Sequence, residues 1–264
     1  MARPSSLFIS HGSPDLIFHD TVAKQFLESA ADSFKPPKAI IIASAHYETK
    51  RPAIVSDAAP EMIYDFGPID RRLNDVNYPA LGAPAIAHKA KDLLIDAGIE
   101  CDLESKRGYD HGTWVPLSLL YKNADIPIVQ LSVQRHLSAT HHYNIGKALR
   151  PLVDEEILVI GSGSMTHNLS EVFGPQGLKH GRFDQEIEWA RLFAEWINVQ
   201  IVDGAVDELL DYEAKAPFAR ENHPTAEHFL PLMVAVGASA NGRGERLHKS
   251  TEFAVLAMDA FAFH

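Results

Sequence analysis

"KAIIIASAH", residues 38–46, carries the reading of the fold. An unbroken apolar run of strand length, ending in small residues before a histidine, predicts a strand over 38–45 buried on both faces. Similar runs recur along the chain. "SLFIS" (6–10), "RPAIVS" (51–56), "IPIVQLSV" (126–133) and "EILVIGSG" (156–163) read as strands, with "STEFAVLAM" (250–258) as the last. Between them lie stretches of helical length: 21–34, 84–97 with Gly98 as its stop, one containing "YNIGKALRPLV" (143–153), 183–202 as the longest, and 225–238 entered through Pro224. Strands alternating with helices predict an α/β fold with a central mixed, largely parallel sheet flanked by helices. No Gly/Ser-rich linker divides the sequence, so residues 1–264 read as one domain. The segment 57–83 is long, poorly periodic and rich in Pro and Asp; loops of that length inside a domain are often functional.

Composition narrows the function. A chain of 264 residues, 46% hydrophobic and 22% charged, can bury a sizeable core. A net charge of −11 argues against gripping phosphate backbones, so no nucleic-acid partner is expected. The apolar runs fall far short of a membrane-spanning helix, and no membrane association is expected. "MARPSS" at the start has no apolar leader core, which makes the cytoplasm the expected location. Cys101 is the only cysteine; it excludes a disulfide within the chain and a cysteine-rich zinc site, and its apolar surroundings read as burial rather than reactivity. The unusual count is 14 histidines, the residue type that most often binds metals and carries protons near neutral pH.

Their positions are informative. His11 follows the strand 6–10, His46 follows 38–45, and His167 lies a few residues past 156–163. Open α/β sheets bind ligands in the crevice outside the carboxyl ends of their strands. One histidine at a strand end is ordinarily a packed, hydrogen-bonded residue; three at three strand ends point to convergence. His111 sits in a Gly-bracketed turn, "GYDHGTWVPL" (108–117), and "ENHPTAEHFLPL" (221–232) holds His223 and His228 at a helix start. Five residues apart, those two do not stack on one helix face. The "HH" at 141–142 reads as the exposed first turn of a helix. The sequence has no P-loop, nucleophile elbow, dinucleotide fingerprint or H-E-x-x-H motif. A histidine-rich metal site assembled from distant segments remains.

Six motifs in order, "SHGSP", "SAHYET", "YDFGP", "DHGTWVPL", "THNL" and "HPTAEHFLPL", resemble the class III extradiol ring-cleavage dioxygenases, in the branch of the 4,5-DOPA extradiol dioxygenases, from about residue 5 to about residue 258. The resemblance implies that family's phosphorylase/hydrolase-like α/β domain, with a metal at the edge of the sheet. It assigns His11 and His46 as two ligands and puts His228 where much of the wider superfamily has a glutamate, with His223 in reserve. Glu227 would point elsewhere. Three histidines depart from the two-histidine, one-carboxylate set of oxygen-activating iron and equally suit zinc. Fe(II) is the metal expected for activity, and Zn(II) is open at the same site. His167 matches an acid/base histidine and His111 a second active-site histidine. The implied partners are O2 and a small aromatic diol, a DOPA-like or caffeate-like catechol. The loop 57–83, through Tyr64, Asp65 and Phe66, is the expected substrate wall, and His223 is a further candidate substrate contact. The alternative is a zinc-dependent hydrolase using the same histidines. A metal-binding protein without turnover would have no use for His111 and His167. Oligomeric state has no signature in the sequence.

Overall fold

In a computed structural model that describes residues 4–264, the apolar runs form one eight-stranded sheet. Its strands are β1 (Ser6–Ser10), β2 (Ala39–Glu48), β3 (Ala53–Val55), β4 (Asp102–Glu104), β5 (Ile128–Val133), β6 (Ile157–Gly163), β7 (Gly244–His248) and β8 (Ala260–Phe263). They lie in the order β4-β3-β5-β2-β6-β1-β8-β7. The four central strands β5, β2, β6 and β1 are mutually parallel. Beyond β1, strands β8 and β7 run antiparallel; at the other edge β3 pairs antiparallel with β5 and parallel with β4.

The run "AIII" is continuous because both faces of β2 are covered. Ile40 and Ile42 pack with Leu7, Ile9, Leu158 and Ile160 against α1 (Val22–Ala30) and α3 (His111–Leu120). Ile41 points the other way, with Val129 and Val159, toward α2 (Pro84–Asp96), α4 (Ala139–Val153) and α6 (Leu230–Ala238). On that second face Phe8, Phe261 and Phe263 pack with α5 (Glu188–Asp203). Each such side chain contributes about 1.5–3 kcal/mol by leaving water. Every residue of α6 is buried, which explains an apolar sequence with no polar face. Among the described residues no helix is long and apolar enough to cross a membrane.

Four expectations are corrected. Strand β2 continues past residue 45, so His46 lies inside it; a register shift against β5 between Ala43 and Glu48 lets the polar end stay in the sheet. The helix expected over 225–238 begins only at Leu230. Pro231 tolerates the first helical turn but not a helix interior, so His228 lies in the turn before the helix. The last strand is 260–263 rather than 250–258, because Phe253 and Ala254 adopt φ of +52° and +62° and break the run into a small hairpin. His142 is fully buried, not exposed: its Nδ1–H donates to the Ser138 carbonyl, and its Nε2 accepts the Gln134 N–H.

Candidate active site

Because β2, β6 and β1 are adjacent and parallel, their carboxyl ends lie side by side at the middle of the sheet. His11 is the first residue past β1, and its backbone N–H donates to the Gly163 carbonyl at 3.0 Å. His46 projects from the end of β2. His228 arrives on the turn before α6, which lies directly on β6. A Cβ on Gly161 would stand 2.1 Å from the Pro231 carbonyl oxygen, and one on Gly163 2.0 Å from that of His228. Only glycine permits this approach. Ser162, between the two glycines, points to the opposite face, as strand alternation requires.

The three rings meet. His46 Nε2 lies 3.2 Å from His11 Nε2 and 3.2 Å from His228 Nε2. Their outer nitrogens determine what those inner atoms carry. Ser162 donates its hydroxyl hydrogen to the Gly112 carbonyl, so at 3.0 Å it must accept from His11 Nδ1. His228 Nδ1 donates to Glu227 Oε1 at 3.1 Å, and that carboxylate also accepts from Thr225 Oγ1. His46 Nδ1 faces Asp65 Oδ2 at 3.5 Å. With hydrogens on the outer nitrogens, three lone pairs face one another, an arrangement that repels unless a cation is shared. Metal–nitrogen bonds of about 2.0–2.1 Å put neighbouring ligand nitrogens roughly 2.8–3.4 Å apart between octahedral and tetrahedral geometry. The donor set therefore fits a divalent transition metal, and the outer hydrogen bonds are those that metal-bound imidazoles make.

Burial first, then neighbouring imidazoles, holds the pKa of His11 and His228 well below the ordinary value. The same causes bring His46 to about 3, against the opposing pull of Asp65. These rings are neutral near pH 7, the state in which they can donate a lone pair.

Two more histidines pack against the three. The His167 ring stacks on His228 at 3.4 Å and 9°, and burial followed by the nearby His111 lowers its pKa to about 4. The His111 ring lies 3.8 Å from that of His46 and opens α3. Asp65 Oδ1 accepts from both the backbone N–H of His111, at 3.0 Å, and its Nδ1–H, at 2.8 Å. Burial alone would raise the Asp65 carboxyl, but these bonds bring it down to about 2.

Among the described residues, His11–His46–His228, His46–Asp65–His111 and His167–Glu227–His228 are groups whose ligand atoms lie within 4.8 Å of one another; shared members make them one cluster. His223 stands outside it: its Nε2–H donates to the Met165 carbonyl at 2.9 Å, its ring packs on Phe193 and Phe229, and burial takes its pKa to about 3. Phe66 lies edge-on to His111 at 5.7 Å, while half-exposed Tyr64 donates to the Val76 carbonyl and contacts Phe66 and Trp114. Cys101 is buried, which pushes its thiol up to about 11. The orienting groups Ser162 and Glu227 have no motif of their own. Strand alternation in "GSG" was the one signal for Ser162.

A mixed sheet with five clustered histidines at the carboxyl ends of its parallel strands is the setting of a metal-dependent enzyme. The family comparison makes this specific: the family described as the catalytic LigB subunit of aromatic ring-opening dioxygenase matches residues 5–263. The chain belongs to this family and is a catechol ring-cleaving dioxygenase of the extradiol type. Among its relatives, a 4,5-DOPA dioxygenase extradiol of Beta vulgaris is 41% identical over 98% of this chain and 96% of that protein. One of Escherichia coli K12 is 34% identical over 89% and 85%. The crystal structure of an uncharacterized Escherichia coli K12 protein superposes with a TM-score of 0.80 at 30% identity, covering 98% of this chain and 99% of that one.

Proposed function

We propose that this enzyme opens the ring of a DOPA-like or caffeate-like catechol beside its diol, with both atoms of O2 entering the product, and that the whole chain serves as one catalytic domain. Relatives named for 4,5-DOPA dioxygenase activity support the substrate class. The observation that carries the mechanism is the convergence of three inward imidazole nitrogens with two further histidine rings packed on them.

In this reading His11, His46 and His228 hold the metal, Fe(II) for activity, and the same three imidazoles accept Zn(II). When bound, it gives the diol and O2 a common attachment and a path for electron density between them. His167 stands beside the centre as a neutral imidazole, able to take a proton from one diol hydroxyl and return it to the product. His111, held through Nδ1, offers its other nitrogen to the same space. Phe66 and Tyr64 line the side where the aromatic ring lies, and Phe66 keeps water from the His111 edge.

The test is anaerobic reconstitution of metal-free protein with Fe(II), followed by a panel of catechols. Oxygen uptake with a coloured ring-opened product is expected. A metal-loaded protein that consumes no oxygen with any catechol refutes the proposal, and turnover without oxygen would mark a zinc hydrolase.

A further inference from the structure

We propose that Asp65 is a positioning residue that assigns the ring protons of His46 and His111 together, which makes the long loop 57–83 a working part of the site. The inference rests on the reading of His46 and His111 given above.

The Asp65 carboxylate spans the two rings. Oδ1 takes two hydrogen bonds from His111, backbone and ring, while Oδ2 faces Nδ1 of His46. An ionised carboxylate only accepts. The carboxylate accepts from Nδ1 of His111 and favours hydrogen on the facing Nδ1 of His46, which leaves the Nε2 of each ring with its lone pair. For His46 that nitrogen is the one turned toward His11 and His228.

The carboxylate is not free to wander. Ile63 N–H donates to the Tyr109 carbonyl at 2.7 Å, Trp114 Nε1–H donates to the Ile63 carbonyl at 3.1 Å, and Phe66 packs on both His111 and Trp114. These contacts pin the backbone on each side of Asp65. A residue that merely anchored the loop would need one bond to α3; this one reaches past α3 to the ring on β2.

Asparagine at position 65 separates the two roles. The backbone N–H of His111 cannot become an acceptor, so the amide oxygen must keep facing it. The amide NH2 is then turned to His46 Nδ1, donor against donor. Relief requires the His46 hydrogen to move to Nε2, the nitrogen aimed at the metal. Alanine leaves His46 free to choose its tautomer. Asp65→Asn is thus expected to weaken Zn(II) binding on the order of 10–100-fold, and Asp65→Ala by less. A purely structural anchor predicts the reverse order, because asparagine preserves shape and alanine does not.

The experiment is Zn(II) competition against a chromophoric chelator on both variants and on His46→Ala, with urea unfolding to show that each is folded. A loss in Asp65→Asn exceeding that in Asp65→Ala supports the proposal; equal affinities or the reverse order overturn it. Should His46→Ala bind Zn(II) like the unaltered protein, the metal reading fails and the inference with it. If His46→Ala loses the metal while Asp65→Asn keeps it, only the part given to Asp65 falls. Long-range nitrogen–proton NMR of the unaltered zinc-loaded protein tests the same point without a variant. Hydrogen on Nδ1 of both rings is expected, and an Nε2–H on His111 overturns the proposal.

Discussion

Replacing Gly112 by alanine would press on both halves of the site at once. Gly112 is the second residue of α3, and its carbonyl accepts from Ser162, the hydroxyl that orients His11. An added Cβ would stand 2.5 Å from Ser44 Oγ, 3.0 Å from His46 Cδ2 and 3.3 Å from Asp110 Oδ1. Ser44 and Asp110 are fully buried and cannot swing into solvent. Restoring van der Waals contact moves Ser44 by roughly 1 Å, which breaks its 2.6 Å hydrogen bond to Asp110. Losing a hydrogen bond to a buried carboxylate costs about 1.5–3 kcal/mol and overpacking about 1–3, while alanine's better helix propensity returns at most about 1. The expected net loss is about 1.5–6 kcal/mol in urea unfolding of the metal-free protein. Weaker Zn(II) binding should accompany it, because the His46 ring is one of the groups displaced. A Gly112→Ala protein as stable as the original, with undiminished metal affinity, would refute the packing argument.

Two further outcomes are expected. His167→Gln should slow ring opening by about 10²- to 10⁴-fold while leaving the metal content unchanged; metal analysis beside single-turnover kinetics checks it, and loss of metal would assign His167 a different role. His142 sets a pH dependence: burial lowers its folded pKa to about 4 from the ordinary 6.5 of a histidine, so between those values the unfolded chain binds more protons. Its contribution is complete above pH 6.5 and falls away as the pH drops toward 4, by on the order of 3 kcal/mol. Urea unfolding from pH 7.5 to 4.5 should therefore show a shallower slope in His142→Gln, and an unchanged slope would count against a neutral buried ring.

What the sequence made legible was what local pattern determines. The apolar runs 38–45 and 156–163 announce strands because burial on both faces leaves them almost wholly apolar or small. The convergence of His11, His46 and His167 followed from the general rule for parallel sheets. The boundaries that failed depend on partners distant in sequence. His46 stays in β2 because β5 tolerates a register shift beside it. The turn holding His228 was misread as helix although Pro231 marked the true start. His142 reads as a surface residue because a polar pair in a first helical turn suggests exposure, whereas its ring is held by nearby backbone, the Ser138 carbonyl and the Gln134 N–H, and the packed fold covers it. The sequence points to Asp65 only as part of a substrate wall and to Ser162 only through strand alternation; their bonds to His111 and His11 form across 46 and 151 residues of chain, which local pattern does not encode.

The three inward-facing histidines sit at positions 11, 46 and 228, so the first and the last are 217 residues apart. An ion held between them would join the first strand to the turn before α6 and close nearly the whole polypeptide into a ring. The unfolded chain cannot present this arrangement, so binding energy becomes folding energy: at free metal 100 times the dissociation constant, native stability rises by about 2.7 kcal/mol. A melting temperature that climbs with added metal would then report on the assembly of the entire sheet, and starvation for the ion would expose the protein to unfolding and proteolysis as well as to loss of turnover.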